Sequence, residues 1–405
     1  MEAHMAQPLT GSFELIKNIN TACILNKIRI SGSVSRADIA RETGLTPATV
    51  SNITAEIIEL GLIIEAERGE SSGGRKPVLL SINKTACYFG SIHMGSDLVE
   101  AAVSDVEAEL VSLMSSPLPD GANPELVVST GLRLLEEAKL AAGVSTLAGI
   151  GICSHGLSRS SDGVVVFAPN LGWCNVPVGS MVESATGLPT AVENDVRAMA
   201  YAENWCGLAR GVSDYVYLYV GHGIGGSIIS DSELFKGQGG FAGEFGHVTI
   251  EPGGPLCSCG NRGCLQALAS ENAMLKRYIE RKKSIGELPP DGLRFSQLLN
   301  LAKQGDSDAL EEILAGVRYI GIEVGNIINT LSPSLIVINA RISALSDIIM
   351  PVLNEEIGRH CIQNSRDNVN ITFSELLREA PIRGAATCII RRMFEQPKAF
   401  LKNTL

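Results

Sequence analysis

Between Gly246 and Cys264 the chain reads GHVTIEPGGPLCSCGNRGC. His247, Cys257, Cys259 and Cys264 fall there with the spacing His-x9-Cys-x-Cys-x4-Cys, while the other cysteines are scattered. Four nitrogen and sulfur donors so close together suit a closed, tetrahedral structural zinc site. Pro252, Gly253, Gly254, Pro255, Gly260 and Gly263 permit the tight loop reversals that such a knuckle needs. All four positions are filled by the chain, so the expectation is one structural Zn2+ per chain and no catalytic metal. The alternative is a set of reduced thiols beside an incidental histidine. Glu244 lies three residues before His247, so on one helical turn the two share a face. A metal-bound imidazole keeps its second nitrogen for an outward hydrogen bond.

These residues sit in a chain of 405 residues, 45% of them apolar, which is enough for two to three folded domains. Ten cysteines without secretory context read as thiols or metal ligands rather than disulfides. No apolar run reaches the length of a membrane span and no signal peptide opens the chain, so a cytoplasmic location without membrane insertion is expected. From about Thr85 onward, strand patterns (CYFGSIHM, LVEAAVSD, LAGIGICS, DYVYLYVG, GGSIIS, SLIVIN) mix with helical ones (ELVVSTGLRLLEEAKLA, DALEEILAGVRYIGIEVGNIINTL). That predicts an α/β body with buried sheets, long enough for two lobes with a ligand cleft between them.

The first 85 residues differ. They carry nine basic and nine acidic residues, so the net charge of −11 lies wholly in the remainder. Any DNA affinity should come from local patches and be sensitive to salt. Ser35 and Asp38 are spaced as a capping-box-like helix start, and Gly44 suits a left-handed helix end. Thr46 caps a second helix with Pro47 in its first turn, and Val50, Ile53, Ile57 and Leu60 form its apolar stripe. A preceding helix, roughly 13–28, is expected to add Ile16, Ile19, Ile24 and Leu25 to the same core. This is a helix-turn-helix layout, and the hairpin after Leu60 reads as a wing with Arg75 and Lys76 at its tip. Ser35, Arg36, Thr46, Pro47, Thr49, Ser51 and Asn52 are the candidate DNA contacts, with Arg75 and Lys76 reaching a minor groove.

The motifs GIGICSHG (149–156), PNLGW (169–173), VEND (192–195), GHGIGGS (221–227) and the cysteine cluster occur in an order that resembles the ROK family of repressors and sugar kinases. The likeness covers nearly the whole chain, and the N-terminal segment, including GGRKP, resembles that of the family's repressors. It implies a winged helix-turn-helix over 1–84 and an actin-like, ribonuclease-H-like pair of lobes over 85–195 and 196–380. Residues 381–405 would return to the first lobe, and the second would carry the zinc knuckle and a dimerisation surface. The family's kinases use an Asp-x-Gly-Gly-Thr loop, where this chain has His93, Ser96 and Asp97. Pro-Gly is replaced by His155–Gly156, Gly-Thr-Gly by Gly221–His222–Gly223, and a glycine-rich adenosine loop by Asn339, Ala340 and Arg341. An Asp beside an ATP phosphate would repel it, and the added side chains would fill nucleotide space, so the nucleotide site reads as lost.

The sugar contacts implied by the resemblance keep their types: Asn170, Asn194, Asp195, Glu244 and His247. Gln266 stands where the family usually has Glu, which alters the preferred sugar. A buried carboxylate can hold hydroxyls by charge-assisted bonds even with no phosphoryl donor. The expected function is a transcriptional repressor, not an enzyme, that binds operator DNA and is controlled by a small sugar. Xylose and glucose are the first candidates. One helix-turn-helix reads one half-site, so a homodimer or a dimer of dimers is expected. The alternatives are a sugar kinase carrying a DNA-binding domain and regulation by a protein partner that no segment identifies.

Overall fold

Cap chemistry sets the first helices. A computed structural model describes residues 13–68, 77–119 and 121–401. Helix α1 (Phe13–Ser31) leads into a short strand β1 (Val34–Ser35) and helix α2 (Arg36–Thr43). The Ser35 hydroxyl accepts from the Asp38 amide at 3.1 Å and donates to its carboxylate at 2.7 Å. Gly44 ends α2 at φ 72°, and Thr46 caps helix α3 (Pro47–Glu59) by accepting from Thr49 N. Strands β2 (Ile63–Arg68) and β3 (Val78–Ile82) pair antiparallel, and β1 adds to the outer edge of β3. This segment thus runs α1-β1-α2-α3-β2-β3. The proposed wing-tip residues Arg75 and Lys76 lie outside the described residues.

The α1 expectation needs one correction. Ile24 and Leu25 are fully buried, but Ile16 and Ile19 are 53% and 59% exposed. The buried stripe runs Thr21, Ile24, Leu25 and Ile28, a helical period that puts Ile16 and Ile19 on the opposite side.

The body follows as β4 (Phe89–Met94), β5 (Leu98–Ser104), β6 (Leu110–Pro117), α4 (Pro124–Ala142), β7 (Ile150–Ser154), β8 (Leu157–Arg159), β9 (Val164–Ala168), β10 (Trp173–Val176), α5 (Val178–Thr186), β11 (Thr190–Asn194) and α6 (Asp195–Cys206). A second series has β12 (Tyr215–Val220), β13 (Ile224–Ser230), β14 (Glu233–Leu234), α7 (Leu265–Ala269), α8 (Glu271–Ser284), α9 (Phe295–Lys303), α10 (Ser307–Leu331), β15 (Leu335–Ala340), α11 (Ser346–His360), α12 (Gln363–Arg366) and β16 (Asn370–Phe373). Helices α13 (Ala380–Glu395) and α14 (Pro397–Leu401) close the described chain. No helix among the described residues is long and apolar enough to cross a membrane.

The chain divides into two compact units, Met1–Ala198 with Pro381–Leu405, and Met199–Ala380. The first holds a five-stranded sheet in the order β11-β7-β4-β5-β6, and the second one in the order β14-β13-β12-β15-β16. In each, three strands run parallel and the two following the first are antiparallel hairpin partners, the same pattern used twice. A separate three-stranded sheet, β10-β9-β8, belongs to the first unit. Strands such as β7 and β15 are buried along their whole length, which is why they read as continuous apolar runs.

Helix α13 lies on β7. The Cys153 thiol meets the Pro381 carbonyl at 3.2 Å, and a Cβ added to Gly151 would stand 1.7 Å from the Ala385 carbonyl oxygen. Arg383 reaches the Ala108 carbonyl at 3.2 Å and Glu109 at 3.0 Å. In the same unit, Lys398 of α14 binds Glu56 of α3 at 2.9 Å, and Lys17 of α1 binds that carboxylate too. The two lysines, Lys17 foremost, hold the Glu56 carboxyl below its ordinary range. A Gly151→Ala protein should be less stable by at least about 2 kcal/mol, because backbone must move to make room. Urea unfolding measures this, and an unchanged midpoint would contradict the packing.

Candidate functional site

In the first unit, β11 ends at Asn194 and α6 begins at Asp195, so a carboxylate stands at a helix N-terminus, where its charge is favoured. Asn194 holds it in place. Its Nδ2 donates to the Gly156 carbonyl at 2.7 Å and to Asp195 Oδ1 at 2.9 Å, while its Oδ1 accepts from Arg197 N at 3.1 Å. Asp195 Oδ1 also accepts from Val196 N at 2.8 Å. Asp195 Oδ2 faces His155 Nδ1 at 3.4 Å, and His155 Nε2 lies 3.0 Å from Asn170 Nδ2. Asn170 is exposed in a 3-10 turn, Pro169–Leu171. The bond to Asp195 raises the pKa of His155, while burial acts against it. Gly156 adopts φ 90° with the Phe167 carbonyl where a Cβ would be, so the chain can turn there beside the site.

The structure therefore brings Asn170, Asn194 and Asp195 together. It gives them different tasks: Asn194 spends its amide on protein groups, whereas Asp195 and Asn170 keep acceptor or donor capacity. His155 belongs to this cluster and was read in the sequence only as a departure from Pro-Gly. The contact is between residues 15 and 40 positions apart, and no local pattern encodes it.

In the second unit, Glu244 precedes a 3-10 turn, Phe245–His247, and His247 N donates to the Glu244 carbonyl at 3.0 Å. One ligand atom from each of His247, Cys257, Cys259 and Cys264 lies within 4.8 Å of all the others. His247 Nδ1 is 3.7 Å from Cys257 Sγ, so Nε2 is the outward nitrogen. Backbone bonds close the knuckle: Cys257 N donates to the Asn261 carbonyl at 2.8 Å, and Gly260 N to the Cys257 carbonyl at 3.0 Å. Burial and the neighbouring thiols push the Cys264 thiol up to about 12, while backbone donors lower that of Cys259. These four donors together could hold a metal ion. Gln266 is engaged at both ends, its Oε1 accepting from Ile224 N at 3.1 Å and its Nε2 meeting Ser258 Oγ at 3.1 Å.

The candidate DNA contacts separate into two groups. Ser35 is buried as a cap, and Arg36 binds Thr54 Oγ1 at 3.1 Å and Glu65 at 3.0 Å. Thr46, Pro47, Ser51 and Asn52 are exposed on the first turns of α3, with Thr49 half-buried.

The ROK family pattern matches residues 89–392. The chain belongs to the ROK family. It is 34% identical to the xylose repressor of Caldicellulosiruptor bescii over 402 residues, covering 96% of this chain and 99% of that protein. A crystal structure of a ROK family transcriptional regulator, a homologue of the E. coli MLC protein, superposes with a TM-score of 0.82 at 29% identity, over 96% of this chain and 98% of that one. A ROK glucokinase from Streptomyces griseus, solved with glucose and AMPPNP, matches with a TM-score of 0.67 at 27% identity, over 74% of this chain and 98% of the kinase. The body is thus the actin-like ROK fold shared by repressors and kinases.

Several side chains where the sequence departs from the ROK kinase loops are engaged, while Ser96 and Asp97 are exposed. His93 binds Glu100 at 3.0 Å. His222 and Asn272 bind one another, Asn272 Nδ2 reaching the His222 carbonyl at 3.2 Å. Arg341 forms a two-pronged pair with Glu271, one arm at 2.6 Å, and covers the Phe295 ring at 5.6 Å. Asn339 and Ala340 are buried, Asn339 binding Tyr217 and the Leu377 carbonyl, so Arg341 alone of the three projects outward. Glu271 is 1% exposed, and an Arg341→Ala chain would leave that carboxylate unpaired. Its stability should fall by about 1–3 kcal/mol in chemical unfolding; no loss would show that the pair is idle.

Proposed function

We propose that this chain is a DNA-binding transcriptional repressor of carbohydrate-utilisation genes, controlled by a small sugar effector. One observation carries the reading. Likeness to a xylose repressor runs through 96% of the chain, N-terminal helices and sheet included, whereas likeness to a glucokinase covers 74%. The exposed Thr46, Pro47, Ser51 and Asn52 with Thr49 are proposed to meet base edges in a major groove, since their short polar side chains sit at the N-terminus of α3. Arg75 and Lys76 are proposed phosphate or minor-groove contacts, and Arg36 and Ser35 support the helix pair. Each chain reads one half-site, so the acting form is proposed to be a homodimer or a pair of dimers in the cytoplasm.

Asp195 and Asn170 are proposed to grip sugar hydroxyls, with Asn194 orienting Asp195. Glu244, His247 and Gln266 are the further proposed contacts, and Gln266 must release Ile224 N or Ser258 to take part. Xylose is the first effector to try, with glucose next. His247, Cys257, Cys259 and Cys264 would hold one structural Zn2+, which fits their NS3 donor set. The ion would fix the loop and the tautomer of His247, leaving Nε2 to face outward. With His93, His222 and Arg341 engaged where kinase loops would be open, the chain is proposed to bind sugar without phosphorylating it.

Fluorescence anisotropy of labelled promoter DNA tests the repressor reading. D-xylose should change the DNA affinity of the intact chain, and Asp195→Ala should weaken the sugar response by roughly tenfold or more, the value of a charge-assisted bond. DNA binding that ignores xylose, glucose and amino sugars alike would contradict it. Metal analysis of the purified protein should return one zinc per chain, and Cys257→Ser should lose most of it. Full zinc retention with a normal sugar response in that variant would remove the zinc assignment.

A further inference from the structure

His155 touches both residues proposed to grip the effector, and its two nitrogens do so in opposite senses. The Asp195 carboxylate can only accept, so Nδ1 carries the hydrogen at the 3.4 Å contact. When the ring is neutral, Nε2 is then an acceptor, and Asn170 Nδ2 at 3.0 Å is its donor. The amide oxygen of Asn170 is thereby turned away from the ring, on an exposed residue. When the ring gains a proton, Nε2 becomes a donor and cannot face the amide NH2, so Asn170 must turn its oxygen inward. From this geometry we infer that His155 is the specificity-determining residue of the effector site. Its proton decides whether Asn170 offers the sugar an acceptor or a donor, and links effector affinity to pH.

The sign follows from the neighbours. Asp195 is the charged group set against the ring. Charged groups on the adjoining strands and helix have partners of their own: His93 with Glu100 at 3.0 Å, Glu193 with Arg197 at 3.8 Å, and Arg159 of β8 with Asp162 at 2.8 Å. The buried Cys153 thiol keeps its proton, its pKa driven well up by burial. In the free protein the Asp195 bond raises the affinity of His155 for its proton, so part of the population is charged near neutral pH. A sugar hydroxyl that donates to Asp195 competes with the ring for that carboxylate and excludes water, and both effects disfavour the charged ring. Binding then expels a proton, and affinity rises as pH rises.

This inference rests on the sugar-binding reading of Asp195 and Asn170. Isothermal titration calorimetry with D-xylose, D-glucose and N-acetylglucosamine, each alone, tests it at pH 6, 7 and 8 in two buffers of different ionisation enthalpy. For a sugar that binds, Kd should tighten by about threefold to tenfold from pH 6 to pH 8, with net proton release on binding. His155→Gln should flatten the pH dependence and abolish the release. His155→Asn serves as a second variant, and thermal melting confirms that both fold. Binding that does not vary with pH, or an unchanged slope in both variants, would overturn the role of His155 alone. No heat with any of the three sugars would remove the sugar-binding reading and this inference with it.

Discussion

One carboxylate organises the first unit. Asp195 stands where β11 gives way to α6, and two donors, Asn194 Nδ2 and Val196 N, fix its Oδ1. Its second oxygen is thereby aimed, not free to rotate, and it faces His155. A buried carboxylate is tolerable only when hydrogen-bonded, and these donors supply that condition without using its outward lone pairs. The consequence is a hydrogen-bond acceptor held in one orientation. Here it has a histidine for a neighbour.

The same unit that holds Asp195 also holds the helices proposed to read DNA. A continuous series of contacts joins them. Strand β11 pairs with β7, β7 packs under α13, and α14 reaches Glu56 of α3 through Lys398. Such a series is a route for coupling only if it has two arrangements with different sugar affinity. Lys17 binds Glu56 as well, so α3 is tied both to α1 and to α14. Exposed pairs of this kind are individually weak, which suits a tie that is made and broken. The NS3 cluster lies in the other unit, with His247 Nδ1 3.7 Å from Cys257 Sγ.

Much of this was legible in the sequence because the signals are local. Ser35, Gly44, Thr46 and Pro47 announce helix ends by their own chemistry, and all four occupy those ends. The metal-ligand spacing similarly needs only a short loop to bring its donors together. The two longest helical patterns and six of the strands read from alternation appear close to their expected bounds. What was not legible depends on distant partners. Ile16 and Ile19 are apolar at plausible spacing, yet the core accepts only the Thr21, Ile24, Leu25 and Ile28 face of α1. Strands β8 to β10 are short and partly exposed, so no strong alternation marks them. His155 and Gln266 look like simple replacements of family residues. Only the fold shows that one bridges Asn170 and Asp195 and that the other is held by Ile224 and Ser258.

The proposed function requires that the sugar be held and returned unchanged. The most direct measurement is the mass of the sugar itself, recovered after prolonged incubation of the zinc-loaded protein with ATP, magnesium and the sugar that alters its DNA binding. The recovered sugar should have its original mass, with ATP undiminished. A sugar heavier by one phosphoryl group, formed in proportion to ADP, would contradict it.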